Sequence, residues 1–246
     1  MGNKRNRQDV QDRRNAKKQD KGRTVNQKHQ WQAPKPISAK TVRQKELFEA
    51  LHNKTLVVAK GPAGTGKTYC SAGDAADALR KGDIKKICVS RPYVGMGSPM
   101  GFRPGSEFDK LLPYVLPIFD VFKKRLDKGG LECHIKEENI ELVPLETLRG
   151  RSFEEAVVII DEAQNCTVDE MKSIVTRIGE NSQLILMGDP KQKDLKGVSG
   201  LEWVCDMIRK YEIEDAQVVE FSIDDVVRSD ICSIFLRIME DESENF

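Results

Sequence analysis

Eight residues with the sequence Gly-Pro-Ala-Gly-Thr-Gly-Lys-Thr follow the apolar residues 56–59 after a single lysine. They match the pattern G-x-x-x-x-G-K-[ST], which requires a buried strand before it and a helix after it. Glycines in such a loop let backbone N–H groups and the start of the helix point at phosphate oxygens. The alternative, a glycine-rich turn that binds nothing, requires all eight matches and both flanks to be coincidental. The sequence therefore predicts an ATP site formed by Gly61, Pro62, Ala63, Gly64, Thr65, Gly66, Lys67 and Thr68.

A second motif consists of an apolar run at residues 156–160 followed by Asp161 and Glu162. An unbroken apolar run predicts a strand buried on both faces, and open α/β sheets form their ligand crevice where such strands end. We therefore predict that Lys67 reaches the β- and γ-phosphates and that Thr68 and Asp161 hold Mg²⁺. Glu162 is predicted to polarise the water that attacks the γ-phosphate, which favours hydrolysis over transfer to a metabolite. A solvated acidic strand end is the alternative.

A third polar group follows the predicted strand at residues 183–187, where Gly188, Asp189 and Pro190 lead to Gln192. An amide side chain both donates and accepts hydrogen bonds, so Gln192 is predicted to sense the γ-phosphate or to orient the attacking water. The alternative is a Gly-Asp-Pro turn with no part in binding.

Segments of strand and helix character alternate between residues 40 and 240. This alternation predicts the α/β class, with a doubly wound, mostly parallel sheet that has helices on both faces. Residues 106–126 are predicted to be helical, with a kink or split at Pro113 and Pro117. Thr167 and Glu170 have the spacing of a capping box, which predicts that a helix begins there.

The net charge of +1 conceals a strong asymmetry. Residues 1–30 contain ten Lys or Arg and three Asp, and they have few apolar side chains, which predicts disorder. This segment is either a basic arm that neutralises nucleic-acid phosphates or a solubilising tail. We expect a disordered arm at residues 1–36, an ATPase domain at 37–241 and an acidic tail at 242–246. No apolar run approaches the length of a membrane span, so we expect a cytoplasmic chain without membrane contact.

Five segments together resemble one family, the PhoH family of ATPases. In chain order they are GPAGTGKT, RPYVGMGSPMGFRPG, PLETLRGRSFEEAVVIIDEAQNCT, MGDPKQ and DVVR. The resemblance covers about residues 40–240. More distantly, the chain is similar to the first RecA-like domain of superfamily 1 helicases, which implies a single RecA-like P-loop NTPase domain.

The resemblance also implies roles for side chains outside the three motifs. Gln44 stands upstream of the phosphate loop like the helicase glutamine that reads adenine. Arg228 matches the family's Val-Val-Arg and is expected to act as an arginine finger from a neighbouring subunit, with a surface ion pair as the alternative. Arg91 lies where such helicases hold single-stranded nucleic acid. Arg149 and Arg151 suit a phosphate contact or a subunit interface, and for these three a solvated loop arginine is the rival interpretation.

The function implied by the resemblance is the binding and hydrolysis of Mg-ATP, coupled to the binding or remodelling of single-stranded RNA or DNA. These residues provide one RecA-like domain, whereas helicases close two domains on one ATP. Motor action is therefore expected to require a homo-oligomeric ring, such as a hexamer. Two alternatives stay open: a nucleotide-gated nucleic-acid-binding or assembly protein with negligible turnover, and a small-molecule phosphotransferase.

Overall fold

The computed structural model describes residues 32–92, 107–148 and 150–227, together with 231, 234, 235 and 237–239. The chain divides into two units, residues 1–33 and 34–246, and every element below lies in the second. Most of the predicted basic arm, the predicted acidic tail, Arg149 and Arg228 lie outside the described residues. The predicted domain boundaries therefore stay a prediction.

Six strands, six α-helices and three short 3-10 helices make up the named elements of the described chain, and one of the short helices is Ala163–Asn165. The strands are β1 (Leu56–Lys60), β2 (Lys86–Ser90), β3 (Ile140–Leu142), β4 (Ala156–Ile160), β5 (Gln183–Gly188) and β6 (Ala216–Glu220). The helices are α1 (Val42–Asn53), α2 (Lys67–Lys81), α3 (Glu107–Lys136), α4 (Leu145–Leu148), α5 (Val168–Val175) and α6 (Gly200–Lys210). No helix in this part of the chain is both long enough and apolar enough to span a bilayer.

The strands form one sheet in the order β3-β2-β4-β5-β1-β6, and all neighbouring strands are parallel. Only β5 separates β1, which leads into the phosphate loop, from β4, which leads into Asp161 and Glu162. Because the strands are parallel, their carboxyl ends share one edge of the sheet. The two motifs therefore lie at the same edge. The predicted α/β class with a parallel sheet is confirmed.

Two apolar cores lie on opposite faces of this sheet, because alternate strand residues point in opposite directions. Helices α1, α2 and α3 cover one face, and α4, α5 and α6 cover the other. The predicted doubly wound arrangement is therefore confirmed. Fully buried members of the first core include Leu47, Val57, Ala72, Phe122 and Ile159. Fully buried members of the second include Val58, Val158, Ile160, Met171 and Leu201.

Helix α5 begins as predicted, at a capping box. The Thr167 hydroxyl oxygen accepts from the Glu170 backbone N–H at 3.2 Å, and the Glu170 carboxylate accepts from the Thr167 N–H at 2.8 Å. Two N–H groups that have no partner inside the helix are satisfied in this way.

Helix α3 does not break where its prolines predict. The backbone leaves helical geometry at Asp127, where φ is 58° and ψ is 177°, and not at Pro113 or Pro117. Of the predicted kink or split at these prolines, the split is therefore wrong and the kink stays a prediction. The Asp127 carboxylate accepts from the Gly130 N–H at 2.7 Å, which is the bond of an N-cap residue. A second helical segment therefore begins after Asp127, and the bond that starts it also fixes the break.

Candidate active site

The phosphate loop connects β1 to α2, and its backbone has a positive φ at three glycines, Gly61, Gly64 and Gly66. Gly61 has φ of 136° and Gly66 has φ of 89°, in the region that L-residues rarely adopt. A Cβ on Gly61 would lie 2.3 Å from the Phe221 carbonyl oxygen, and one on Gly66 would lie 2.6 Å from Nε2 of Gln44. The loop can therefore curl tightly only with these glycines in place, with α2 beginning at Lys67.

A cavity of about 400 Å³ opens between this loop and the carboxyl ends of β4 and β5. The start of α2 faces it, which favours an anionic ligand. Predicted site residues make up most of its polar wall. They are Ala63, Gly64, Gly66, Lys67, Thr68, Arg91, Asp161, Glu162 and Gln192.

Lys67 is a desolvated cation in this cavity. Its ammonium donates to the carbonyl oxygens of Gly61 at 2.6 Å and Pro62 at 2.7 Å. Burial lowers the pKa of Lys67, and the carboxylates of Asp189, Asp161 and Glu162 oppose that shift. Phosphate oxygens offer such an ammonium stronger, charge-assisted hydrogen bonds than backbone carbonyls do.

Asp161 and Glu162 follow β4 in two different environments. Asp161 is buried, and this burial, together with the charge of Glu162, raises the pKa of Asp161 to about 6. Glu162 has φ of 51° and ψ of 38°, a left-handed conformation that strains any residue other than glycine. Strain of this kind is concentrated at functional sites, where the surrounding structure enforces it.

Arg91, at the end of β2, contacts both carboxylates. Its guanidinium nitrogens lie 3.6 Å from the Asp161 carboxylate and 3.3 Å from that of Glu162, and one donates to the Tyr114 carbonyl oxygen at 2.6 Å. Arg91 and Glu162 also line a second cavity of about 120 Å³, together with Pro92 and Tyr114. Arg91 therefore lines the cavity beside the phosphate loop as well, and its predicted nucleic-acid contact stays a prediction.

The segment after β5 places Gln192 at the cavity through a bond to Asp189. The Gln192 amide donates to the Asp189 carboxylate at 2.8 Å, and both residues line the cavity. Its predicted part in sensing the γ-phosphate stays a prediction.

Gln164 is a site residue whose contacts the sequence does not predict. Its side chain is 1% exposed and donates to Glu162 at 2.6 Å and to the Gln192 carbonyl oxygen at 3.3 Å, while accepting from the Asp189 N–H at 3.1 Å. Its place two residues after Glu162 was a signal, but the three bonds depend on how β4 and β5 pair. Gln164 links the two acidic strand ends.

The Gln44 side chain is hydrogen-bonded to the backbone of the phosphate loop. Its amide donates to the Thr65 carbonyl oxygen at 2.9 Å and accepts from the Lys40 N–H at 2.8 Å, and its side chain is buried. Its predicted role in reading adenine stays a prediction.

The cavity also has an apolar wall that the sequence does not predict. Its members come from distant parts of the chain, so no local spacing connects them. One of them, Val227, donates its N–H to the Gly64 carbonyl oxygen at 3.1 Å. Such a wall suits the base and ribose of a nucleotide. It consists of Tyr69, Pro117, Val121 and Val227.

Arg151 lies away from this cavity, beside the edge strand β3. Its guanidinium donates to the Glu141 carboxylate at 2.5 Å and lies 5.6 Å from the centre of the Phe153 ring. It lines a groove with Leu142 and Thr147, and its predicted phosphate contact or interface stays a prediction.

Comparison with known proteins decides the family. The family model described as PhoH-like protein matches residues 36–240. The chain belongs to the PhoH family. Protein PhoH of Escherichia coli K12 is 41% identical over 202 residues, covering 80% of this chain and 56% of the relative. The PhoH-like protein of Bacillus subtilis is 42% identical over 196 residues, covering 79% of this chain and 61% of the relative. The chain thus spans little more than half the length of these PhoH relatives.

Among solved structures, the UvsW helicase from bacteriophage T4 is similar to this PhoH-family chain with a TM-score of 0.44 and 14% sequence identity. The similarity covers 78% of this chain and 62% of the helicase.

The residues that face the cavity from α2 and β4 suit a magnesium ion. Thr68 offers a hydroxyl oxygen and Asp161 a carboxylate, and both line the cavity beside the phosphate loop. Mg²⁺ prefers hard oxygen ligands and usually takes one or two carboxylates together with substrate phosphates. The donor set fits the predicted ion.

We expect Asp161→Asn to stabilise the metal-free protein at pH 7 by about 2–3 kcal/mol. The pKa of Asp161 is about 6 in the folded protein against an ordinary 3.8, so folding takes up a proton between these values. The free energy of unfolding of the wild type therefore falls as the pH rises from 3.8 to about 6, whereas that of Asp161→Asn does not. Urea unfolding in EDTA between pH 4 and 8 measures the difference, and equal stabilities at pH 7 would contradict the shift.

Proposed function

We propose that this PhoH-family chain binds Mg-ATP and hydrolyses it, with Glu162 as the group that polarises the attacking water. The observation that carries the proposal is that one cavity is lined by the phosphate loop, Asp161, Glu162 and Gln192. Phosphoryl transfer depends mainly on positioning and on electrostatic stabilisation, and these groups supply both.

Each part of the cavity has a task in this scheme. The loop N–H groups, the start of α2 and Lys67 hold the β- and γ-phosphates. Thr68 and Asp161 would hold Mg²⁺, which neutralises charge on the phosphates. Glu162 takes the proton of the attacking water, and Gln192 contacts the γ-phosphate or that water. The apolar wall that contains Tyr69 receives the base.

We further propose that single-stranded RNA or DNA stimulates this hydrolysis by way of Arg91. In the structure a guanidinium nitrogen of Arg91 lies 3.3 Å from the Glu162 carboxylate, so Arg91 occupies an oxygen that would otherwise be open to the attacking water. The same arginine lines the second cavity, so a nucleic acid bound there can change how Arg91 contacts Glu162. The alternative, a nucleotide-gated protein with negligible turnover, would apply if Arg91 always stayed in contact with Glu162.

Steady-state ATP hydrolysis with and without single-stranded RNA and DNA tests this coupling. We expect nucleic acid to raise the rate of the wild type and to leave Arg91→Ala unchanged. Arg43→Ala is the matched control, because Arg43 lies on α1 and pairs with Glu46 away from the cavity. A wild type that binds ATP and turns it over at a rate indifferent to nucleic acid would contradict the coupling.

We also propose that the chain forms a homo-oligomer through a surface after residue 230. The described residues there are helical, and five of their apolar side chains are 47–60% exposed at spacings that lie on one helical face. An exposed apolar patch of this kind marks an interface. Its residues are Ile231, Ile234, Phe235, Ile238 and Met239.

A second copy is the proposed occupant because the patch follows closely on Val227, which bonds to the phosphate loop. An interface there would adjoin the nucleotide cavity, as the predicted arginine finger at Arg228 requires. We expect Phe235→Asp to lower the molar mass measured by sedimentation velocity from that of an oligomer to that of one chain. Val42→Asp, at another exposed apolar residue, should leave it unchanged. A monomeric wild type at micromolar concentration with Mg-ATP would overturn the proposal.

A further inference from the structure

We propose that Gln164 is a positioning residue for the hydrolytic step, which holds the Glu162 carboxylate and connects it to the segment that carries Gln192. The inference rests on the proposed role of Glu162. Gln164 acts through Glu162, because it lies behind that carboxylate and is not among the residues that line the nucleotide cavity.

The contacts of Gln164 leave its amide a single orientation. Its oxygen accepts from the Asp189 N–H at 3.1 Å, so its nitrogen must face Glu162 and the Gln192 carbonyl oxygen. A flipped amide would set its oxygen against a carboxylate and a carbonyl oxygen, and would leave the buried Asp189 N–H facing a donor. The amide therefore presents an N–H to Glu162 at all times.

The packing around Gln164 prevents it from moving away. The side chain is 1% exposed, and a Cβ added to Gly188 would lie 2.4 Å from its Oε1. Glycine at the end of β5 is what lets the amide fit between the two strand ends. Glu162, in contrast, has a side chain that is 32% exposed and a strained backbone. A partly exposed carboxylate is therefore held by a buried donor.

The two oxygens of the Glu162 carboxylate have different partners. Oε2 accepts from Gln164 at 2.6 Å, and Oε1 lies 3.3 Å from a nitrogen of Arg91. Arg91 is partly exposed, so it can be displaced, whereas Gln164 cannot. Release of Arg91 would free Oε1 to accept the proton of a water while Gln164 keeps the carboxylate in place.

The bond to Gln192 gives Gln164 a second consequence. The nitrogen that holds Glu162 also donates to the Gln192 carbonyl oxygen at 3.3 Å. A shift of Gln192 toward a γ-phosphate would change the hydrogen bond from the Gln164 nitrogen to the Gln192 carbonyl oxygen. The bond from the same nitrogen to Glu162 would change with it. Gln164 is thus the link through which nucleotide sensing reaches the group that activates water.

Gln164→Glu tests the role with little change in shape. The variant keeps an acceptor for the Asp189 N–H, and once its new carboxyl is ionised it presents an oxygen instead of a donor to Glu162, so kcat is compared from pH 7 to pH 9. We expect kcat to fall by about 10²-fold, as a small misplacement of a catalytic group can cause, while the KM for ATP and the affinity for Mg-ATP stay unchanged. Should this variant fold poorly, Gln164→Met removes the donor without adding a charge.

Asn165→Ala is the matched control, and both variants are assayed without nucleic acid because Asn165 also lines the second cavity. Asn165 follows Gln164 on the same short helix, and its side chain accepts from the Asp194 N–H at 2.9 Å, so it ties the same two segments together without contacting Glu162. A purely structural role predicts similar losses of kcat and of thermal stability in both variants. The positioning role predicts a loss of kcat in the Gln164 variant alone.

A double-variant cycle with Glu162→Gln separates this inference from the proposed function. If Gln164 acts through Glu162, adding Gln164→Glu to Glu162→Gln should cause no further loss in single-turnover rate. A wild-type kcat in Gln164→Glu, or a full additional loss in the double variant, would overturn the inference alone. Full hydrolysis by Glu162→Gln would overturn the role of Glu162 and this inference with it.

Discussion

Replacing Glu162 with glutamine should lower the rate of ATP hydrolysis by about 10²–10⁴-fold, which is the range expected for loss of a general base. The side chain keeps its shape, and its remaining oxygen can still accept from Gln164, so the geometry of the cavity should survive. What disappears is the carboxylate that takes the proton from water. Binding of Mg-ATP should persist, since the phosphate loop, Thr68 and Asp161 are untouched.

Two comparison variants make this result specific. Lys67→Ala should lose affinity for Mg-ATP itself, because Lys67 is the half-buried cation of the phosphate loop at the cavity. Glu146→Gln changes an exposed carboxylate on α4 and should behave as the wild type. Calorimetric titration with Mg-ATP and a phosphate-release assay read out binding and chemistry separately. Hydrolysis at the wild-type rate by Glu162→Gln would remove Glu162 from the mechanism.

Replacing Arg125 with methionine should destabilise the fold by about 3–5 kcal/mol, the cost of leaving one partner of a buried ion pair alone. The Arg125 side chain is 4% exposed and contacts both oxygens of the Asp77 carboxylate, one of them at 3.0 Å. It also donates to the Lys35 carbonyl oxygen at 2.8 Å. Arg125 thus joins α3 and the segment before α1 to α2, the helix that follows the phosphate loop.

The loss should come from the stranded carboxylate more than from the missing cation. Asp77 would keep only its weaker contact to Arg80 at 3.4 Å, so Asp77→Leu in the same chain should recover much of the stability. Urea unfolding of the three proteins measures this. Arg43→Met, which breaks an exposed pair, should leave the unfolding midpoint unchanged. Equal midpoints for Arg125→Met and the wild type would show that the buried pair does not hold these elements together.

Features set by neighbouring residues could be predicted from the sequence. The strand at Ala156–Ile160 has the predicted bounds, because an unbroken apolar run between polar flanks suits a strand buried on both faces. The capping box at Thr167 needs only four consecutive residues. Parallel strands then bring the loop, Asp161 and Gln192 to one cavity, because every carboxyl end shares an edge of the sheet.

Features set by tertiary packing could not be predicted. The bonds of Gln164 and the contact of Arg91 with both carboxylates depend on which strands are neighbours. The spacing of residues along the chain does not determine the strand order. Val227 reaches the loop from the far end of the domain for the same reason. The break at Asp127 was not predicted because proline is the stronger local signal for a helix break, whereas Asp127 acts through a hydrogen bond to Gly130.

Hydrolysis of Mg-ATP in ¹⁸O-labelled water by the purified full chain, with single-stranded RNA present and no small-molecule acceptor, tests the central claim most directly. An account in which Glu162 activates water predicts inorganic phosphate that carries one ¹⁸O atom from solvent, and its loss in Glu162→Gln. Tight binding of Mg-ATP without release of labelled phosphate would contradict hydrolysis, and would instead identify a nucleotide-gated protein or a phosphotransferase that awaits its acceptor.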